Sequence, residues 1–100
     1  MYESFEEAIR GIANEVAELV ISKQKDYGTK NILNSPFGPE QGLVTREYDK
    51  LARLANLLSN GKKPKNESIE DSWKDVVGYG LIALMVRRGA FELPLKEENV

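Results

Sequence analysis

The chain has 100 residues, of which 41% are hydrophobic and 30% charged, and its formal net charge is −2. This size fits one domain of ordinary soluble composition, and the lack of a basic excess argues against general nucleic-acid binding. Cysteine and histidine are both absent, so disulfides and thiolate metal sites are excluded, and a metal ion would need oxygen ligands, as Mg²⁺ does. No apolar run reaches membrane-spanning length and the acidic start is unlike a signal peptide, so we expect a cytoplasmic protein without membrane contact.

A capping box, Ser4 with Glu7, predicts the start of a first helix. Apolar residues then recur at helical spacing, which predicts one buried stripe consisting of Phe5, Ile9, Ile12, Val16 and Leu19. The helix is expected to run from about Phe5 to Lys25 and to end at Gly28, which can take a left-handed cap.

The sixteen residues from Tyr27 to Gly42 contain three glycines and two prolines, and we predict a loop there instead of regular structure. Loops of this length in compact domains tend to be functional or disordered. Ile32, Leu33 and Phe37 are apolar anchors, so we expect this loop to be ordered.

A second helix is predicted to begin near residues 43–45 and to end before Asn60-Gly61. The apolar residues expected to face the core are Val44, Tyr48, Leu51, Leu54, Ala55 and Leu58. The opposite face carries Arg46, Asp49, Arg53 and Asn56. Charged helix faces are usually solvated, but Leu57 lies on this face too, which indicates contact with something other than water.

Ser68 with Asp71 predicts the start of a third helix, which runs to about Arg88-Gly89. From residue 76 to 86 every position is apolar, glycine or tyrosine, a pattern typical of a helix contacted on several sides. Gly78 and Gly80 indicate close approach of another backbone or a ligand, and helix packing is the favoured cause. Two neighbouring helices cannot cover such a helix. We therefore expect one all-α domain over residues 1–100, a small bundle of three main helices with a long ordered loop, completed by homo-oligomerisation.

Asp71 and Asp75 lie four residues apart on one side of the third helix. Trp73, Val77 and Leu84 are predicted to face the core, which places the two aspartates at the mouth of a second apolar face. Asp71 also has a structural explanation, because acids stabilise the first turn of a helix. Asp75 also has a structural explanation if it pairs with an arginine of the second helix. A structural role and a ligand or metal role both remain open for the pair.

Three blocks of the chain together predict a nucleotide pocket. The carboxylates could hold a metal ion, and they include the E-x-x-E pair Glu15 and Glu18, although such pairs also occur on solvated faces. The second helix supplies cations suited to phosphate, namely Arg46, Lys50 and Arg53. The loop adds Tyr27, which can stack on a base, together with Lys30 and Asn31.

Four segments resemble the nucleotide-modification-associated domain of the first type, a small family common in bacteriophages: KQKDYG, a loop reaching FG, TREYDKLARLANLL and ESIEDSWKDVVGYGLIAL. The resemblance covers about Lys23 to Leu95. Its matching positions are Lys25, Asp26, Tyr27, Gly28, Arg46, Asp49, Lys50, Arg53, Leu54, Asn56, Glu67, Ser68, Asp71, Asp75, Gly78 and Tyr79. It implies a phage protein associated with nucleotide metabolism.

The layout is more distantly similar to the all-α nucleoside triphosphate pyrophosphohydrolases, the MazG and dimeric dUTPase group. This similarity implies a nucleotide partner, a Mg²⁺ cofactor and cleavage to monophosphate and pyrophosphate, although Lys50 and Ser72 stand where that group has acids. The catalytic and metal-binding set it implies is Asp49, Asp71 and Asp75, with Glu18 as a further metal ligand. The ligand-binding set it implies is Lys25, Tyr27, Asn31, Arg46, Lys50, Arg53 and Asn56.

Two other functions remain open from the sequence. The incomplete acidic set favours a non-catalytic oligomeric sponge that sequesters a nucleotide second messenger of bacterial antiviral immunity. The charged face of the second helix would also suit a helical protein-interaction module. Metal dependence of nucleotide binding separates the enzyme from the sponge.

Overall fold

The computed structural model describes residues 1–96, which form four helices. They are α1 (Phe5–Tyr27), α2 (Lys30–Leu33), α3 (Pro39–Asn60) and α4 (Ile69–Arg87). The described residues contain no strand, so the all-α prediction is confirmed. Within the same range, every helix is too short or too polar to cross a bilayer.

The predicted starts of the first and last long helices, α1 and α4, are confirmed by their capping hydrogen bonds. Ser4 Oγ accepts a hydrogen bond from the backbone N–H of Glu7 at 3.0 Å, and Ser68 Oγ caps the start of α4 in the same way at 3.0 Å. α1 ends at Gly28, whose φ of 67° is combined with a ψ of −156°, so the left-handed cap predicted there is wrong. α3 ends at Gly61, which is left-handed, with a φ of 66° and a ψ of 11°. Glycine adopts this backbone region without steric penalty.

The segment between α1 and α3 is more regular than predicted. It contains the short helix α2, and α3 begins at Pro39, about one helical turn earlier than expected. Proline suits the first turn of a helix because its missing N–H would have no partner there. Ile32 is a buried anchor, but Phe37 is not, because its side chain is 95% exposed at a φ of 67°. The prediction that Phe37 anchors this segment is wrong.

The core is small and lies between α2, α3, α4 and the segment that follows α4. Its buried centre is Ile32, Leu43 and Phe91, and the partly buried residues packed around it are Leu33, Tyr79, Ile82, Ala83 and Val86. The burial of Phe91 brings the chain after α4 back onto the bundle and closes the core at this end.

α3 does not turn its predicted apolar stripe toward the core. Of those six residues only Leu54 is buried, whereas Tyr48, Leu51 and Leu58 are 71%, 44% and 59% exposed. The side facing α4 instead carries Lys50, which pairs with acids on and just before α4. The prediction of which α3 side faces the core is therefore wrong, because the buried side combines Leu43 and Leu54 with the ion-paired Lys50.

The orientation of α4 also differs from the prediction. Trp73, Val77 and Leu84 were expected in the core but are 47%, 47% and 50% exposed. The buried side contains Gly78, where an added Cβ would lie 3.2 Å from Val20 Cγ2 of α1. Helix packing is thus the reason for this glycine, and Asp75, about one turn earlier on the same side, faces inward.

The apolar stripe of α1 is covered over only half of its length. Val16 is 2% exposed, whereas Ile12, Ile9 and Phe5 are 50%, 54% and 76% exposed. The radius of gyration is 15.4 Å, compared with about 13 Å for a compact chain of this length. The N-terminal half of α1 therefore extends away from the rest of the bundle.

Candidate functional site

A cleft of about 280 Å³ lies between the C-terminal half of α1, α2, α3 and α4. Its apolar lining includes Val20, Ile32, Ile82 and Phe91, and its polar lining includes Lys23, Gln24, Tyr27, Asn31, Arg46, Asp75 and Tyr79. The volume is near the lower limit of roughly 300 Å³ for small-molecule pockets. An apolar cavity with a few converging polar groups is the usual form of such a pocket.

Asp75 is the carboxylate that lines this cleft. Its side chain is 11% exposed, and its Oδ1 and Oδ2 each lie 2.9 Å from a lysine Nζ, those of Lys23 and Lys50. Burial raises the pKa of Asp75, but hydrogen bonds from Lys50 and Lys23 outweigh it and hold the pKa below its ordinary value. Asp75 is therefore ionised at neutral pH, and each of its oxygens already has a cationic partner.

A second set of charges, behind Asp75, joins α3 to the start of α4. Lys50 Nζ lies 2.8 Å and 3.0 Å from the two carboxylate oxygens of Glu67. Ser72 is fully buried; it donates its hydroxyl to Glu67 and accepts from Arg53 Nη1 at 2.6 Å. Arg53 also donates to the backbone carbonyl of Glu67.

These contacts change the ionisation of two of the groups. Hydrogen bonds from Lys50 and Ser72 hold the pKa of Glu67 below its ordinary value. Burial lowers the pKa of Lys50, but pairing with Glu67 and Asp75 raises it by a larger amount. The pKa of Lys50 therefore lies above its ordinary value. Lys50 is thus a fixed positive charge, held behind Asp75.

Arg46 and Tyr27 stand at the edge of the cleft. Arg46 Nη2 donates to the backbone carbonyl of Asn31 at 3.2 Å, which connects α3 to α2. A guanidinium carries five N–H donors in a planar fork, so this contact leaves donors for a ligand. Tyr27 is 67% exposed, and its ring is available to stack on a bound molecule.

The charges around the cleft sum to a positive value although the chain is acidic. Four cations, Lys23, Lys50, Arg46 and Arg53, accompany the two acids Asp75 and Glu67. Lys74 also lines the cleft but pairs with Glu15 at 2.7 Å. A cleft walled by apolar groups concentrates such a field, and the ligand charge it favours is negative.

The structure brings some of the sequence-predicted residues together and leaves others apart. Tyr27, Asn31, Arg46 and Asp75 line the cleft. Lys50 contacts Asp75 from behind, and Arg53 contacts Glu67 and Ser72. The residues that are exposed and outside the lining of the cleft are Glu18, Lys25, Asp49, Asn56 and Asp71.

The carboxylates predicted to bind magnesium are not assembled into one ligand set. Asp71 lies with Glu67 and Asp75 along a more open depression that adjoins the cleft, and Asp49 and Glu18 do not line it. Residues 1–96 hold no group of three or more acidic side chains arranged to bind a metal ion. Because both oxygens of Asp75 are bound by lysines, the described residues of one chain do not fit a magnesium site.

Neither Lys23 nor Glu67 is predicted from the sequence to belong to the site. Lys23 follows Val16 by seven residues, so it lies on the same side of α1 as the buried stripe. A cation at the end of an apolar stripe is the sequence feature that could have identified Lys23 as a site residue. Glu67 was noted only as a motif position. It precedes the cap residue Ser68, and nothing in the local pattern identifies it as the partner of Lys50.

Comparison with known proteins adds no further constraint. No family model, curated protein or solved structure matches the chain. The resemblances noted in the sequence motifs therefore remain predictions, and the function is argued from the cleft.

Proposed function

We propose that the protein binds a nucleotide in this cleft and does not cleave it. The observation that carries the proposal is the position of Lys23, whose half-exposed side chain lies at a cleft of mixed apolar and polar lining to which Arg46 also contributes. Phosphate oxygens suit the two cations, while a base suits the apolar lining and the ring of Tyr27.

The double pairing of Asp75 explains how Lys23 can serve a ligand. The side chain of Lys23 is 48% exposed, whereas that of Lys50 is 22% exposed and held by Glu67 as well. When Lys23 turns toward a phosphate, Lys50 still neutralises Asp75, so no buried charge is left unpaired. Lys23 is thus the movable cation of the site and Lys50 the fixed one.

The size of the cleft supports a single nucleotide unit as the ligand. The half-open cleft has a volume of about 280 Å³, while Tyr27 extends the apolar surface toward solvent. Base stacking on an aromatic side chain contributes roughly 1–3 kcal/mol. A ligand with one ring and a phosphate group would use the lining, the two cations and Tyr27 together.

Binding without metal follows from the same contacts. The oxygens of Asp75 are bound by lysines, and the described residues do not assemble a magnesium site. We therefore propose that phosphate charge is neutralised by Lys23 and Arg46, with no requirement for a divalent ion.

Calorimetry with a panel of ribo- and deoxyribonucleoside mono-, di- and triphosphates, in EDTA and in Mg²⁺, tests the proposal. We expect at least one to bind equally well in both buffers and to be recovered intact by mass spectrometry. Lys23→Ala and Arg46→Ala should each weaken binding about tenfold or more, as the loss of a charge-assisted hydrogen bond predicts. Lys65→Ala, an exposed cation outside the cleft, is the matched control and should bind normally.

Two results would remove the proposal. One is no binding across the panel. The other is unchanged affinity in both Lys23→Ala and Arg46→Ala. Binding seen only with Mg²⁺ and accompanied by pyrophosphate release would support the pyrophosphohydrolase function instead.

We also propose that the chain assembles with copies of itself. The surface area of one chain is 7946 Å², whereas size scaling gives about 5,700 Å² for a compact monomer of 11.2 kDa. A standard protein interface buries about 800 Å² on each partner. The excess surface is more than enough to form one.

A further inference from the structure

Two uncovered apolar surfaces adjoin each other where α1 crosses α4. The arm is the N-terminal half of α1, with Phe5, Ile9 and Ile12 exposed to 76%, 54% and 50%. The flank is the side of α4 formed by Trp73, Val77 and Leu84, exposed to 47%, 47% and 50%. Each surface is an apolar helix face of the kind that is normally buried, and neither is covered by the described residues of the chain.

Three contacts fix the direction in which the arm leaves α4. Lys23 of α1 pairs with Asp75 at 2.9 Å, and Val20 packs on Gly78. Two turns before Lys23, Glu15 pairs with Lys74 at 2.7 Å. Helical periodicity places Lys74 on the flank side of Gly78 and Asp75 on the other side. α1 therefore crosses over α4 toward the flank.

The arm and the flank consequently form two walls of one concave corner. The arm carries the same stripe that packs on α4 at Val16, so beyond α4 this stripe faces the space beside the flank. A helix lying in that space would contact both walls.

We propose that the corner is filled by a second copy of the chain, in a two-fold symmetric dimer. The flanks of the two α4 helices pack together, and the arm of each copy covers α4 of the other. This inference rests on the proposed self-association and names its surface. A two-fold interface uses the same patch on both copies, and this patch contains both the covering element and the element that needs cover.

Gly80 provides an independent reason to place a helix against the flank. It lies on the flank side of α4 by helical spacing, and an added Cβ there would have no atom within 4 Å. A glycine inside a helix is roughly 1 kcal/mol less favourable than alanine. Close packing explains Gly78, but no contact among residues 1–96 explains Gly80. The approach of a partner helix at this point would explain it.

Light scattering coupled to size-exclusion chromatography tests the interface. The unaltered chain should have twice its mass of 11.2 kDa. Ile9→Glu, which places a charge on the arm, and Gly80→Leu, which fills the point of approach, should each raise the dimer dissociation constant at least 100-fold. Leu51→Glu, on the exposed stripe of α3, is the matched control and should remain dimeric.

Folding of the variants is checked by circular dichroism. Since nothing occupies the space at Gly80, leucine should increase the helical stability of the monomer while weakening the dimer. These opposite effects separate a lost interface from a lost fold, and Gly80→Leu decides the question if Ile9→Glu fails to fold.

The possible negative results contradict different parts of the proposal. If the wild-type chain is monomeric at about 100 µM, a concentration at which weak dimers still form, self-association is overturned. A dimer that tolerates Ile9→Glu and Gly80→Leu but dissociates in Leu51→Glu overturns only the surface named here. Nucleotide binding, measured separately on the same samples, is not decided by either result.

Discussion

Lys23 and Asp75 are 52 residues apart in the sequence and 2.9 Å apart in the structure. Their contact joins α1 to α4 at the cleft, while Lys50 of α3 binds the other oxygen of Asp75. One carboxylate thus connects three helices and also sets the charge of the proposed binding site. Stability and binding are expected to respond together when it is changed.

Asp75→Asn should lower the free energy of unfolding at pH 7 by roughly 1.5–3 kcal/mol, because hydrogen bonds to charged partners are lost. Since the folded pKa of Asp75 lies below its ordinary value, its contribution is present above about pH 3.9. It is lost as the pH falls through the folded pKa. Urea denaturation should therefore show a smaller difference between wild type and variant at pH 3 than at pH 7. Asp49→Asn, an exposed control, should change stability by less than about 0.5 kcal/mol. An equal difference at both pH values would contradict this account.

Tyr27→Ala should weaken nucleotide binding roughly tenfold or more, because stacking of a base on an aromatic ring is lost. Tyr27→Phe keeps the ring and should retain most of the affinity. The Tyr27 side chain is 67% exposed, so neither change should alter the melting temperature of the unliganded protein. Calorimetry and thermal denaturation measure the two effects separately. Equal affinities for the alanine and phenylalanine variants would exclude stacking on this ring.

Glu47→Gln should stabilise the protein at pH 7 by about 1 kcal/mol, the order expected for an unsatisfied buried group. Glu47 Oε1 is buried without a hydrogen-bond partner, and burial raises the pKa of this carboxyl. A raised pKa means that stability falls as the pH rises from the unfolded pKa through the folded pKa. The gain should therefore be largest at neutral pH and small near pH 4, which denaturation at both pH values checks. Destabilisation at pH 7 would show that the carboxylate has a partner in the assembled protein.

Ser72→Ala should destabilise the protein by roughly 1–3 kcal/mol, because a buried hydroxyl that serves two charged neighbours is removed. Glu67 loses a donor and Arg53 an acceptor. Ser22→Ala, at an exposed position of α1, should be neutral or slightly stabilising because alanine favours helices. Denaturant titration of the pair measures the contrast. Equal stability of the two variants would show that Glu67 and Arg53 pair well without the hydroxyl.

Local signals predicted the ends of the helices well. Ser4 and Ser68 accept the capping hydrogen bonds expected of them, and Gly61 takes the left-handed conformation. Each of these features depends on atoms within a few residues of the helix end, so the sequence contains the whole interaction. Pro39 is an equally local signal for the start of α3, but the glycines and prolines of residues 27–42 favour a loop, and the predicted boundary is wrong.

The rotation of α3 and α4 was not predictable in the same way. Both helices carry apolar residues on more than one side, and the side chosen depends on contacts with residues far away in the chain. Lys50 turns inward because Glu67 and Asp75 lie opposite it. Periodicity alone contains no information about such a pairing.

The candidate site was predicted in part for a related reason. Asp75 and Arg46 stood out because charged residues lay beside apolar ones within the same helix. Lys23 did not stand out, since a lysine after an apolar stripe looks the same whether it meets solvent or a carboxylate. The arrangement of the carboxylates also depends on helix rotation, which explains why a metal set inferred from spacing does not come together in one chain.

Because only the C-terminal half of α1 is covered by other helices, we expect its two halves to differ in mobility. Its C-terminal half is held by Val16, Val20 and Lys23 against α4, whereas the described part of one chain gives the arm no such support. Backbone amides in the arm should exchange with deuterium quickly in dilute protein, and more slowly as the concentration rises. Amides near Lys23 should instead be slowed by an added nucleotide. A single labelling experiment would thus record assembly at one end of this helix and ligand capture at the other.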